Sequence, residues 1–173
     1  MMKRLSSAAL VFVVLAPGVF ATPADDEVAK GKAAIAEMDI PGAMAAFTAA
    51  LNADSRHAAA AFERGQIFLK MGDGKAAIGD FTTAVLNDPA MGRAFAQRAM
   101  AKLLLKDGKG AIADFDQAIT VSPQDYEVHV RRATFRLAIG NVEGAKQDLA
   151  NARAVADEAT AKRIGEMIEG LGP

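Results

Sequence analysis

Arg64, Arg98 and Arg132 are each followed sixteen residues later by an aspartate: Asp80, Asp114 and Asp148. A planar guanidinium presents a fork of donors that matches a carboxylate, so this spacing predicts three structural ion pairs. A row of arginines could instead hold an anionic ligand. Each aspartate would then compete with that ligand for its arginine, and the structural reading prevails. Other residues with chemical potential are few. His57 and His129 are the only histidines, and neither has metal-ligand spacing. His129 is read as a packed core residue rather than a base, and Ser55 and Ser122 as helix punctuation. No nucleophile stands beside a base. The string Gly72-Asp73-Gly74-Lys75 resembles a phosphate loop, but Leu69 and Ala76 stand where that loop needs a glycine and a Ser or Thr. Together with Asp107-Gly108-Lys109 it also lacks the alternating acidic ligands and closing glutamate of a calcium loop. No catalytic residue, no metal site and no cofactor is expected.

The arginines and aspartates are placed by a period of 34 residues. Gly65, Ala77, Phe81, Ala84 and Pro89 return one period later as Ala99, Ala111, Phe115, Ala118 and Pro123. Another period gives Ala133, Ala145, Leu149, Ala152 and Asp157, and one step backward gives Gly31, Ala43, Phe47, Ala50 and Ser55. Four units therefore share one template without insertion. Unit one lacks the ion pair and carries Lys30 and Ala46 instead. Within unit two, Ala58 to Met71 holds apolar residues at helical spacing and Gly72-Asp73-Gly74 breaks the pattern. Ala76 to Leu86 resumes it and Asn87-Asp88-Pro89 ends it. Asp39-Ile40-Pro41-Gly42, Asp107-Gly108 and Gly140-Asn141 make the corresponding turns. An arginine and its aspartate lie about eight residues either side of such a turn. At about 1.5 Å per residue they stand level on two antiparallel helices. Gly65, Ala77 and Ala84 are small because helices cross closely there, and Phe81 fills the gap between pairs; larger residues would overpack it.

The first twenty-one residues read as an export signal. Lys3 and Arg4 give a basic start, Ala8 to Ala16 an apolar run too short to span a bilayer, Pro17-Gly18 a break and Val19-Phe20-Ala21 a small-residue cleavage site. With residues 1–21 as signal, the protein is expected to be periplasmic or secreted, with no integral membrane span in its mature form. There is no cysteine, which excludes disulfides and a lipid-modified cysteine. Removing Lys3 and Arg4 from the 20 basic residues leaves 18 against 21 acidic ones, a net charge near −3. That balance argues against nucleic acid as a partner and disfavours attraction to a membrane surface. No Trp and 6% aromatic residues suit close-packed small helices without a large cofactor cavity.

The period and its small and aromatic positions resemble the tetratricopeptide repeat. The resemblance covers about residues 24 to 157, with units at about 24–57, 58–91, 92–125 and 126–157 inside a domain spanning 22–157. It implies an all-α fold, a right-handed α-solenoid of antiparallel helix pairs. Residues 158–173 form the C-terminal capping helix and tail: Glu158 to Leu171 is amphipathic, with Ala159, Ile164, Met167 and Ile168 among charged residues. In this family the first helix of each pair lines a concave groove that holds an extended peptide or a helix. Carried over by position, the lining is Val28, Lys32 and Ile35 in unit one and Phe62, Gln66 and Leu69 in unit two. Arg93, Ala96, Met100 and Leu103 continue it in unit three, and Val130, Thr134 and Leu137 in unit four. Members that bind the charged C-terminus of chaperones carry Lys and Asn where this chain has Val28 and Lys32, so that role is not implied.

Phe62, Leu69, Met100 and Leu103 should align as one apolar strip at least partly open to solvent, with core packing as the competing reading for Leu69 and Leu103. The function expected is a non-catalytic adaptor that binds an apolar or amphipathic segment of another protein or peptide. The alternative is a self-associating structural protein that uses the groove or the last helix to form a homo-oligomer.

Overall fold

The computed structural model describes residues 22–172. The export signal expected over 1–21, and the expectation that this segment touches the solenoid little, lie outside the described residues. Among the described residues there are nine helices and no strand. They are α1 (Pro23–Ala36), α2 (Ile40–Ala53), α3 (Ala58–Lys70), α4 (Gly74–Asn87), α5 (Gly92–Leu104), α6 (Gly108–Val121), α7 (Tyr126–Ala138), α8 (Val142–Val155) and α9 (Glu158–Gly170).

Each hairpin is closed by the same local chemistry. Asp39, Asp73, Asp107 and Asn141 cap the second helix of their units. Their side chains accept hydrogen bonds from the backbone N–H of Gly42, Ala76, Gly110 and Gly144 at 2.9, 3.0, 2.9 and 2.9 Å. The residue before each cap turns through the left-handed region: Gly72 and Gly140 have φ of 81° and 79°, and Met38 and Lys106 have φ of 62°. Glycine takes that conformation without a steric penalty, whereas Met38 and Lys106 hold it against their own Cβ atoms.

The pairs α1·α2, α3·α4, α5·α6 and α7·α8 pack internally, and each pair also packs on the next through α2·α3, α4·α5 and α6·α7. α1 touches α3 and α3 touches α5, so these first helices stand side by side. The core is one recurring contact. Phe47, Phe81, Phe115 and Leu149 are fully buried or nearly so, and the phenyl rings of units one and two press on glycines. A Cβ on Gly31 would come within 2.5 Å of Phe47, and one on Gly65 within 2.9 Å of Phe81. Burying each such side chain contributes about 1.5–3 kcal/mol. At the C-terminal end, α9 packs on α8 and seals Ile164 into the cluster of Leu149 and Ala152, which is the capping arrangement a solenoid needs.

Candidate functional site

The arginines are structural members that fix the first helices which line the candidate site. Arg64 donates from Nε and Nη2 to the two oxygens of Asp80, both at 2.8 Å. Arg98 does the same to Asp114 at 2.9 and 2.8 Å. Arg132 reaches Asp148 from Nη2 at 2.6 Å and from Nε at 3.1 Å. The remaining Nη1 crosses to the preceding unit, donating to the Thr48 hydroxyl from Arg64 and to the Thr82 hydroxyl from Arg98, each at 3.2 Å, and to the Asp116 carboxylate from Arg132. Each guanidinium thus ties its own hairpin to the one before it. The Asp80 hydrogen bond raises the pKa of Arg64 above its ordinary value. For Arg132, desolvation by burial works the other way, but Asp148 and Asp116 outweigh it and the net shift is upward. Each guanidinium is thus committed to acceptors in its own unit and the one before it, which favours the structural reading over an anion site.

One part of this network escapes a reading of sequence spacing alone. Lys102 sits 2.7 Å from Asp114 and Arg136 sits 2.9 Å from Asp148, so these two carboxylates each hold two cations while Asp80 holds one. The acceptors sixteen residues before each arginine, Thr48, Thr82 and Asp116, were also within reach of the same periodic argument.

The carried-over groove residues divide into three groups. Lys32, Arg93 and Thr134 are exposed, and Ile35, Gln66, Leu69, Met100, Leu103, Val130 and Leu137 are half-buried. Val28, Phe62 and Ala96 are buried, at 7, 4 and 7% exposure, which corrects the expectation of an open strip that includes Phe62. The fifth position of a first helix faces the seam between units. The Phe62 ring lies 5.9 Å from that of Phe81, and the Arg93 guanidinium covers its other side at 4.5 Å. The open apolar part is narrower: Leu69, Met100 and Leu103 line one depression of about 410 Å³, joined by Lys70, Gly72, Gln97, Leu104 and Arg131. Leu69 rests on the core of unit two, and Met100 and Leu103 rest on that of unit three, so the floor is held rigid from beneath. Its rim is basic. Lys70 and Arg131 flank an apolar floor, Arg131 also reaching Glu127 at 3.3 Å, and Lys70 suits a segment with apolar residues on one side and an acidic one beside them.

The histidines do structural work. His57 caps α3, accepting from Ala60 N–H at 3.2 Å through Nδ1, and its Nε2 meets Asp25 at 3.0 Å. Asp25 is pulled down to about 2, chiefly by the Thr22 backbone N–H and then by His57. His129 is 5% exposed, with Nε2 3.2 Å from the Pro123 carbonyl oxygen. Among the described residues no group of three metal-ligating side chains converges, and no helix is long and apolar enough to cross a membrane.

A family model described as tetratricopeptide repeat matches residues 28–91 and 64–126. No curated protein matches the chain. Among solved structures, MamA 41-end from Desulfovibrio magneticus RS-1 is similar at 18% identity and a TM-score of 0.70, over 76% of this chain and 75% of that one. The Arabidopsis OM64 TPR domain is similar at 27% identity and a TM-score of 0.63, over 66% of this chain and 95% of that one. The second TPR of Spaghetti (RPAP3) bound to the HSP90 peptide SRMEEVD is similar at 27% identity and a TM-score of 0.55, over 57% and 92%.

Proposed function

The chain belongs to the tetratricopeptide-repeat family, and from that premise we propose that it is a non-catalytic adaptor, exported to the periplasm or the medium, that holds an apolar or amphipathic segment of a partner protein in its concave groove. The observation that carries this reading is the depression of Leu69, Met100 and Leu103 with Lys70 and Arg131 at its edge. Contiguous exposed apolar surface on a soluble domain marks a binding site, and Met100 adapts readily to different apolar partners. A similar repeat domain, that of Spaghetti, holds a peptide. Val28 and Lys32 depart from the residues that clamp a chaperone C-terminus, so the segment held here is an internal apolar one rather than a free carboxylate. Export rests on the basic, apolar and small-residue blocks of residues 1–21.

The test is photo-cross-linking in the exporting cell with a photoreactive residue at Met100. One discrete polypeptide adduct is expected, recovered from the extracytoplasmic fraction together with a chain whose N-terminus has been processed at Thr22. The adduct should vanish on Leu103→Glu and stay absent when the same group is placed at Glu143, exposed in the first turn of α8 and outside the depression. An adduct equal at both positions, or none at Met100, overturns the groove reading. An unprocessed chain retained in the cytoplasm overturns the export reading separately. A cross-linked dimer of this chain would instead support self-association.

A further inference from the structure

The largest concentration of exposed apolar side chains lies beside the groove, along an edge that meets it at Leu104 and Lys70. Met71 is 68% exposed, Ile139 59%, Leu104 48% and Leu105 43%, and all four sit where a first helix meets its turn. Because the first helices stand side by side, these turns share one edge of the solenoid. The same edge carries Lys70 and Lys75 around the turn of unit two and Lys106 and Lys109 around that of unit three. All four are exposed and none is in an ion pair among the described residues. The carboxylates between them are engaged: Asp73 and Asp107 accept backbone N–H bonds at the starts of α4 and α6, where the helix dipoles also offset their charge. Glu37, Asp39 and Glu143 belong to the two outer turns, so the central turns form a basic, apolar-tipped zone within a chain of net negative charge. Lys106 keeps its side chain here at φ 62°, a conformation that glycine adopts at the equivalent positions 72 and 140. A depression of about 490 Å³ between Gly108, Lys109, Ile112, Phe135 and Ile139 extends the apolar zone toward unit four.

We propose that this edge is a contact site for an anionic lipid surface, with Met71, Leu104, Leu105 and Ile139 entering the headgroup boundary and the four lysines meeting lipid phosphates. The apolar residues project from turn tips, a shape that a bilayer interface accepts at any spacing and a protein partner accepts only with a matching recess. Flexible lysine stems beside apolar tips place the ammonium groups at headgroup level while their methylenes stay in the apolar layer. Interfacial binding needs both ingredients, apolar area and attraction to anionic lipid. Each lysine near an anionic leaflet contributes about fivefold in affinity.

The full chain has no cysteine, so a single introduced one can carry an environment-sensitive fluorophore without competing sites. Met71→Cys and Leu105→Cys probe the edge. Leu86→Cys is the control, since Leu86 is 73% exposed at the opposite end of α4. Vesicles of phosphatidylcholine and phosphatidylglycerol in equal parts should shift the emission to the blue at 71 and 105 and leave 86 unchanged. Pure phosphatidylcholine should have little effect. Any tethering by residues 1–21 acts on all three labels alike, so the contrast between positions reads the edge itself. Replacing all four lysines by glutamate should weaken anionic-vesicle binding more than about a hundredfold, with helical content retained. Equal responses at 71, 105 and 86, full binding by the lysine variant, or a blue shift that follows protein concentration without vesicles overturns the proposal, the last in favour of a second copy on the same surface.

Discussion

Arg64→Ala should destabilise the protein more than Arg98→Ala, although Asp80, the carboxylate it abandons, is slightly the more exposed at 7% against 3% for Asp114. The two arginines are otherwise matched. Each makes a two-point bond to its aspartate, each donates to a threonine of the preceding unit at 3.2 Å, and each lies over a phenyl ring, Phe68 at 5.7 Å or Phe95 at 5.5 Å. Losses from those contacts cancel in the comparison. What differs is the cation left behind: Lys102 stays 2.7 Å from Asp114, while Asp80 has no second cation among the described residues, because Phe68 stands where unit three has Lys102. Stripping a buried carboxylate of its only counterion costs about 3–5 kcal/mol. A retained hydrogen bond between charged groups is worth about 1.5–3 kcal/mol. The expected costs are therefore about 4 kcal/mol for Arg64→Ala and about 2 kcal/mol for Arg98→Ala. For a chain of this size that difference corresponds to roughly 4–8 °C in Tm, measured by thermal unfolding followed in the far-UV. Both sites are in internal units, so end fraying does not separate them. The control is Arg98→Ala combined with Lys102→Met, which should bring the loss back to the Arg64→Ala value. If Arg98→Ala alone is as damaging as Arg64→Ala, or if removing Lys102 adds nothing to it, the argument from the second cation is wrong.

Other perturbations follow from the turns and caps. Lys106→Gly and Met38→Gly should each stabilise by about 0.5–1 kcal/mol, because relief of left-handed strain exceeds the entropy glycine adds to the unfolded chain; Gly72→Ala should destabilise by a similar amount, and denaturant midpoints at constant slope read both signs. Asp25 titrates at about 2 when folded, below its ordinary value of 3.8, so its contribution to α1 is complete above about pH 4 and is lost as pH falls toward 2. Amide protection factors, which divide out the intrinsic pH dependence of exchange, should fall across Asp25 to Val28 in that window, and Asp25→Asn should remove that fall. Phe62→Glu should unfold unit two, because the ring is buried between Phe81 and Arg93. Met100→Glu should leave the melting transition within a few degrees of the parent while weakening partner capture.

The repeat, its helices and the arginine–aspartate pairs were legible because each depends on spacing, and spacing survives in a sequence. The core position of Phe47, Phe81 and Phe115 against a small residue in the facing helix could likewise be read from one period to the next. The fate of Phe62 could not. Whether the fifth position of a first helix opens to the groove or closes into a seam depends on what the next unit lays across it. Here that is Arg93, whose exposed guanidinium looks in the sequence like a groove cation and in the structure is a lid. Lys102 and Arg136 were missed for a related reason: unit two has Phe68 at that position, so the pattern of a second cation appears only in units three and four.

The same register extends to α9, the last described helix. α9 is in place as a fifth first helix, and Gly165 lies where Gly31, Gly65, Ala99 and Ala133 meet the large residue of their own second helix once a two-residue shortening before α9 is allowed for. Among the described residues no second helix is paired with it. Instead the Arg153 side chain of α8 lies over Gly165, with its Cζ 3.5 Å from where a Cβ would be. Asp157, Glu158, Lys162, Glu166 and Glu169 surround the open space beyond it. A polar rim with both signs of charge makes further stacking unfavourable, since a fifth hairpin would have to desolvate those groups to reach the small residue beneath. An arginine thus covers the small residue of α9, as other arginines tie the units together, but the charge of Arg153 faces water, so Arg153→Ala should cost far less than Arg64→Ala.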